Sequence, residues 1–377
     1  MRKESLEFLK ALVEAPSPAG FEQPAQALVR EWMARYADEV RTDVMGNVIG
    51  ALNPGGRPRV MLAGHVDEIG FMIRYISEEG FLHFAPIGGV DAQLAPGHRV
   101  VVHSRRGPAR GVIGKKAIHM MDQEERKKVL QFHQQWIDIG AHGRKDAEKR
   151  VAIGDPVTVE VGFQHLDKDI VAGRSFDNKS GAFVVCEALR LLSRSTSSEP
   201  ALRPSTSLRV NSAKGQARRK LDAAVYAVTT VQEELGRRGA VTSAFGIEPD
   251  VGVAVDVDHA TDFPDAEKKK IGDRKLCAGP VLHRGAHLNP VLTDLLFKVA
   301  HDSKIPYQLC GNPSDTGTDA TVMQLSRAGV ATTLLSVPLR YMHTPVEVIS
   351  LSDADHAAKL LAALVAALKP GMSFIPQ

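Results

Sequence analysis

The sequence predicts an α/β protein in which helices flank a central mixed, largely parallel sheet, interrupted by a small β-barrel-like insert. Three observations lead there. Near-continuous apolar runs at 60–64, 224–231, 251–255 and 331–337 have strand length and little alternation, so they read as strands covered on both faces. Helix-length patterns lie among them at 22–36, 179–193, 290–303, 320–328 and 353–368, and strands separated by helices build a layered α/β architecture. Between about 70 and 164 the pattern changes to short alternating segments punctuated by glycine and proline, the mark of a compact β-rich unit.

Taken in order, the chain opens on an amphipathic helix, with Leu6, Leu9 and Val13 on one face, that stops at Pro16-Ser17-Pro18. Charges break its apolar stripe, so it is not a secretion signal. The 22–36 helix and the 60–64 strand follow. The insert comprises "GFMIRYISEEGFLHFAPIGG", "HRVVVHSRRGPARGVIG" and "GDPVTVEVGF", with a charged stretch at 122–136 that reads as a helix. The expected division is therefore a main domain over 1–69 and 165–377 and an inserted unit over 70–164. Residues 193–220, "SRSTSSEPALRPSTSLRVNSAKGQARRK", are rich in Ser, Arg and Pro without a period. They read as a flexible loop excursion, far longer than the usual ~4–6 residues. The apolar run at 360–368 is core helix, well short of the ~20 residues of a membrane span.

Bulk properties exclude several classes. Of 377 residues, 44% are hydrophobic and 24% charged, as in ordinary globular proteins. A net charge of +3 argues for neither a nucleic-acid nor a membrane partner, and the basic stretch 209–220 lacks interleaved aromatics. Three widely spaced cysteines, Cys186, Cys277 and Cys310, make neither a disulfide framework nor a zinc knuckle and suit a reducing cytoplasm.

The chemistry gathers at strand ends. "VMLAGHVDEIG" places His65 just past an apolar run, with Asp67 two residues on and able to share its face; a carboxylate behind an imidazole is how metal sites fix the ring. "TTVQEELG" ends a strand on Glu233 and Glu234, two adjacent acids that repel unless a positive charge or a shared proton lies between them. Asp256 closes the apolar run of "VGVAVDVDHA", where an ionised carboxylate is costly without a partner. His343 follows the last strand, with Pro345 and Glu347 behind it. Asp177 stands before a helix and reads first as an N-cap. In an open parallel sheet the carboxyl ends of the strands line one edge, so these groups converge by topology. Two divalent cations relieve the repulsion. Imidazoles and carboxylates without thiolate suit Zn, Co or Mn in a catalytic site. One of the two glutamates can then bind a metal while the other takes a proton from water; the residues alone do not say which.

The ordered motifs "AGHVDEIGFM", "IGDPVTV", "GRSFDNKSG", "VQEELGRRGA", "VAVDVDHATDFP", "IPYQ", "GTDA" and "PLRYMHTPVEVISL" span nearly the full length. Together they resemble the tetrahedral (TET) aminopeptidases, dinuclear-metal exopeptidases also called glutamyl aminopeptidases or endoglucanases. The resemblance implies a zinc-peptidase-like fold and a cytoplasmic hydrolase acting on the N-terminal bond of short peptides. It implies that His65 and Asp256 bind one metal, that Glu234 and His343 bind the other, and that Asp177 bridges them. Asp67 would orient His65, Glu233 would be the general base, and Asp319 of "GTDA" would lie near the substrate pocket. It further implies that the insert is a dimerisation domain and that dimers assemble into a hollow tetrahedral dodecamer. Arg237, where an apolar residue is usual, and Lys179, where arginine is usual, depart from the pattern. A glycosidase using Glu233 and Glu234 is the rival enzyme, but such pairs stand ~5–9.5 Å apart across a sugar. A non-catalytic oligomeric scaffold would be favoured by a missing ligand, and none is missing.

Overall fold

The computed structural model describes residues 1–193 and 221–377; the expected loop excursion at 193–220 thus falls, but for Ser193, outside the described residues. The main sheet runs, edge to edge, Glu39–Thr42, Val48–Leu52, Ala224–Thr230, Arg59–His65, Val251–His259, Ala331–Arg340, Glu347–Ser350, Ile170–Gly173 and Gln164–His165. Val281–Gly285 and Gln308–Asn312 join it through Ala331–Arg340. The four central strands are mutually parallel, and antiparallel strands flank them on both sides.

The apolar runs are continuous because both faces are covered. In Arg59–His65, Val60 and Leu62 enter one core with the helices Lys3–Glu14, Gln23–Met33, Phe176–Ser193 and Leu351–Ala367. Met61 and Ala63, one pleat over, enter a second core with Arg238–Ile247 and Asp319–Met323. The fully buried valine, leucine and methionine side chains each contribute about 1.5–3 kcal/mol. Two glycines set the distance between sheet and helix. A Cβ on Gly64 would lie 2.6 Å from the backbone carbon of Gly181, and one on Gly181 would lie 2.5 Å from the carbonyl oxygen of Val255. The Phe176–Ser193 helix therefore rests directly on the strands carrying His65 and Asp256.

The β-rich segment closes as a barrel of six strands, in the order Gly70–Ile76, Leu82–Ile87, Gln135–Asp138, Gly107–Lys115, Arg99–Ser104 and Pro156–Val159. Phe71, Ile73, Leu82, Phe84, Val100, Ile113 and Ile137 fill it. The helix expected over 122–136 is corrected here: only Gln123–Lys127 is α-helical, and Gln135–Asp138 is a barrel strand. The reason is tertiary, since Ile137 pairs with Leu82 and Ile113 and is fully buried. The helix expected at 320–328 is also shorter, ending at Met323.

Candidate metal centre

At the carboxyl edge of the central strands, Arg59–His65 ends on His65, and Ala224–Thr230 leads into the Glu233–Glu234 turn. Asp256 lies within Val251–His259, three residues before its end rather than at it, because pairing with Ala331–Arg340 extends that strand. Asp177 is not an N-cap. Its backbone is non-helical (φ −80°, ψ 105°), and Asn178 takes the capping position, its Oδ1 accepting from the Gly181 N–H at 3.0 Å. The Asp177 carboxylate is free to face outward.

It faces two imidazoles. Asp177 Oδ1 lies 3.3 Å from His65 Nε2, and Oδ2 lies 3.4 Å from His343 Nε2. Around this centre, Glu233 and Asp256 each stand 3.8 Å from His65 Nε2, and Glu234 stands 3.7 Å from His343 Nε2. Each ring is held from behind. His65 Nδ1 is 3.1 Å from the Asp67 carbonyl, and His343 Nδ1 is 3.0 Å from the Gly89 carbonyl. Donation through Nδ1 leaves each Nε2 lone pair aimed at the centre, as in metal-bound histidines. Gly89 precedes the barrel strand Arg99–Ser104 in the inserted segment, and a Cβ there would lie 2.8 Å from His343 Nδ1.

Electrostatics follow from this crowding. Burial, with the Asp256, Asp319 and Glu234 charges, pushes Glu233 up to about 10 against the pull of His65. Burial and Asp177 raise Glu234 to about 7, and burial raises Asp256 to about 8. Burial would lower His65, but hydrogen bonds to Asp177 and Asp67 hold it well above its usual value. The Asp177 hydrogen bond lifts His343 to about 9. Burial would raise Asp177, but His343 and His65 keep it below the ordinary range. Ligand atoms of His65, Asp177 and Glu234 lie within 4.8 Å of one another. This donor set fits a borderline divalent ion.

Asp67 stands behind the His65 ring and also holds the glutamate turn. Its carboxylate is 3.6 Å from His65 Nδ1 and accepts the Glu233 N–H at 3.0 Å and the Glu234 N–H at 3.1 Å. It holds the glutamate pair by the backbone and meets the His65 ring through both its carboxylate and its own carbonyl. Asp319 is buried below the turn and accepts from Thr230 Oγ1 at 2.6 Å. Its neighbour Thr318 lines the cavity of about 400 Å³ that opens over His65, Asp177, Glu233 and Arg237. Arg237 pairs with Asp315 at 3.4 Å on that wall.

Sequence reasoning assigned no role to three buried acids. Glu68 is gripped by Arg174 and Lys179 and accepts the Ser17 N–H at 2.8 Å; burial would raise it, but these cations bring it to about 2. Glu22 caps Gly20 at 2.6 Å. Glu347 accepts from both the Asp177 and His343 backbones. The signal available was an acid inside an otherwise apolar strand, "VEVIS". A second cluster of donors, Asp258, His283 and Cys310, is engaged by other side chains. Asp258 meets Arg274 Nε at 2.8 Å, Asn312 and Ser336 occupy both His283 nitrogens, and the Cys310 thiol donates to Asn312.

A family model described as M42 glutamyl aminopeptidase matches residues 46–201 and 203–360. The chain belongs to the M42 glutamyl aminopeptidase family. It is accordingly a peptide hydrolase. Among similar proteins, a lysyl aminopeptidase of Pyrococcus furiosus is 34% identical over 98% of this chain and 99% of its own. A crystal structure of a TET aminopeptidase from a marine-sediment Thaumarchaeota archaeon is 34% identical, covers 98% of both chains and has a TM-score of 0.87. The TET1 peptidase of Pyrococcus horikoshii, which can assemble into a tetrahedron or a large octahedral shell, is 28% identical over 97% of this chain and 100% of its own, with a TM-score of 0.81.

Proposed function

We propose that this M42 hydrolase removes the N-terminal residue from short peptides through a dinuclear divalent-metal centre. The observation that carries the reading is Asp177, whose two oxygens face His65 on one side and His343 on the other. A carboxylate so placed could serve a cation on either side. His65 and Asp256 would hold one ion, and Glu234 and His343 the other. When bound, the ions (Zn, Co or Mn) supply Lewis acidity, which brings the pKa of water from 15.7 toward ~7 and polarises a carbonyl.

The chain's own residues do the rest. Glu233 stands against His65 without being needed as a ligand; with cations beside it to offset the neighbouring carboxylates and keep it ionised, it would receive the proton of the attacking water and return it to the leaving amine, a task worth ~10²–10⁴ in rate. Asp67 fixes where Glu233 and Glu234 point by holding both of their N–H groups. The cavity wall at Thr318 and Arg237 receives the substrate's first residue, and Asp319 acts from beneath through Thr230.

The test strips the protein with a chelator, adds back Zn, Co or Mn, and assays a panel of aminoacyl chromogenic substrates. Activity should vanish and return with metal. Activity that survives exhaustive chelation would overturn the reading. A glycosidase is disfavoured because Glu233 and Glu234 are sequence neighbours tied to one carboxylate.

The inserted unit over 70–164 is, on the same reading, a dimerisation domain, with 1–69 and 165–377 as the catalytic domain. Tyr75, Ile118, Met120, Val129 and Ile153 are exposed apolar residues within the insert, which suits a surface covered by a second copy. Assembly of such dimers into a tetrahedral dodecamer, in the cytoplasm, completes the proposal. Among the described residues no helix is long and apolar enough to cross a membrane.

A further inference from the structure

Glu347 opens the short strand Glu347–Ser350 and is 2% exposed. A carboxylate buried so deeply needs partners, and its two oxygens find them on separate segments. Oε2 accepts the backbone N–H of Asp177 at 3.0 Å, and Oε1 accepts the backbone N–H of His343 at 3.3 Å. Those residues are 166 positions apart in sequence and present the two side chains that meet at 3.4 Å.

The segment it restrains is a turn whose other ties are the Gly89 carbonyl at the His343 ring and the Thr344 hydroxyl, which donates to the Tyr341 and Val346 carbonyls at 2.7 and 2.8 Å. Between Ala331–Arg340 and Glu347–Ser350 the chain turns with both Tyr341 and His343 at positive φ, 66° and 60°. Non-glycine residues adopt that region at a cost and persist there only when surroundings hold them. His343 is the more exposed of the two imidazoles, at 39% of its side chain against 2% for His65. His65, by contrast, ends a strand paired on both sides, and Asp256 lies inside another.

On the dinuclear reading proposed above, we infer that Glu347 is a positioning residue weighted to one half of the centre: it locks His343 to the bridging Asp177, so that the Glu234–His343 metal, two of whose ligands it restrains, depends on it more than the His65–Asp256 metal, for which it restrains Asp177 alone. Both Glu347 oxygens are spent on N–H groups, so it acts through Asp177 and His343. Glutamine at this place keeps size and one acceptor but turns an NH₂ toward the other N–H. Aspartate keeps the charge but is one methylene shorter.

The experiment titrates zinc into stripped wild type, Glu347→Gln and Glu347→Asp by calorimetry. Proton NMR of the cobalt forms counts the imidazole N–H resonances shifted by the metal. Wild type should bind two equivalents and show two such resonances. Both variants should weaken the first equivalent less than the second, which falls about 10–100-fold in affinity, and show one resonance at one equivalent of cobalt, with turnover restored at excess metal. Two equivalents bound as in wild type would overturn the inference. So would parallel weakening of both together with a lowered unfolding temperature of the metal-free variants, which marks a general structural role. Wild type binding fewer than two equivalents would refute the dinuclear reading itself, and the inference with it.

Discussion

Replacing Asp67 with asparagine tests how the two adjacent glutamates are held. The carboxylate accepts the Glu233 and Glu234 N–H groups at 3.0 and 3.1 Å, one on each oxygen, and is fully buried. An amide keeps one acceptor and presents a donor to the second N–H, so one charge-assisted bond is lost. Such bonds contribute about 1.5–3 kcal/mol. If the lost energy falls on the placement of Glu233 in the transition state, kcat/KM drops by about 10- to 150-fold. The assay is kcat/KM on an aminoacyl p-nitroanilide at saturating metal, with metal content measured alongside. A variant with wild-type kcat/KM would refute the claim that Asp67 sets the geometry of the pair. A variant that loses only the His65 metal would show that Asp67 acts through His65 instead.

Glu233→Gln should retain both metals and lose about 10²–10⁴ in kcat, read by single-turnover assay beside elemental analysis; unchanged turnover would remove the general base. Gly64→Ala would bring a methyl to 2.6 Å from the Gly181 backbone, forcing the His65 strand away from the Asp177 helix; a loss of about 1–3 kcal/mol in chemical denaturation should accompany weaker metal binding. Burial raises Glu22 to about 7, with the Gly20 N–H opposing and Asp67 reinforcing. The protonated form is thus favoured by folding, so its contribution is present below about pH 4.5 and lost as pH rises through 7. Urea unfolding in chelator should show a wild-type minus Glu22→Gln difference that changes by about 3 kcal/mol across that window; a flat difference would contradict it. A sized solution species of twelve chains of 40.8 kDa is expected for the dodecamer, and a strict monomer would exclude it.

Much of the centre was legible because buried parallel strands announce themselves as unbroken apolar runs, and an acid or histidine at the end of such a run must meet a partner. His65, Glu233, Glu234, Asp256 and His343 were found that way. Asp177 was harder: its local sequence reads as a helix cap, and only the fold reveals that Asn178 caps instead. What could not be read was which backbone groups a buried acid would hold. Asp67 reaches across 166 residues to the glutamate turn and Glu347 across 170 to Asp177, contacts that no local pattern encodes. The false helix at 122–136 has the same origin, since Ile137 is claimed by barrel pairing rather than by the charged residues before it.

Anomalous diffraction at the zinc edge, from crystals of metal-loaded protein, bears most directly on the account. Two peaks about 3.5–4 Å apart should flank Asp177, one beside His65 and Asp256 and the other beside Glu234 and His343. A single peak, or peaks away from Asp177, would contradict it.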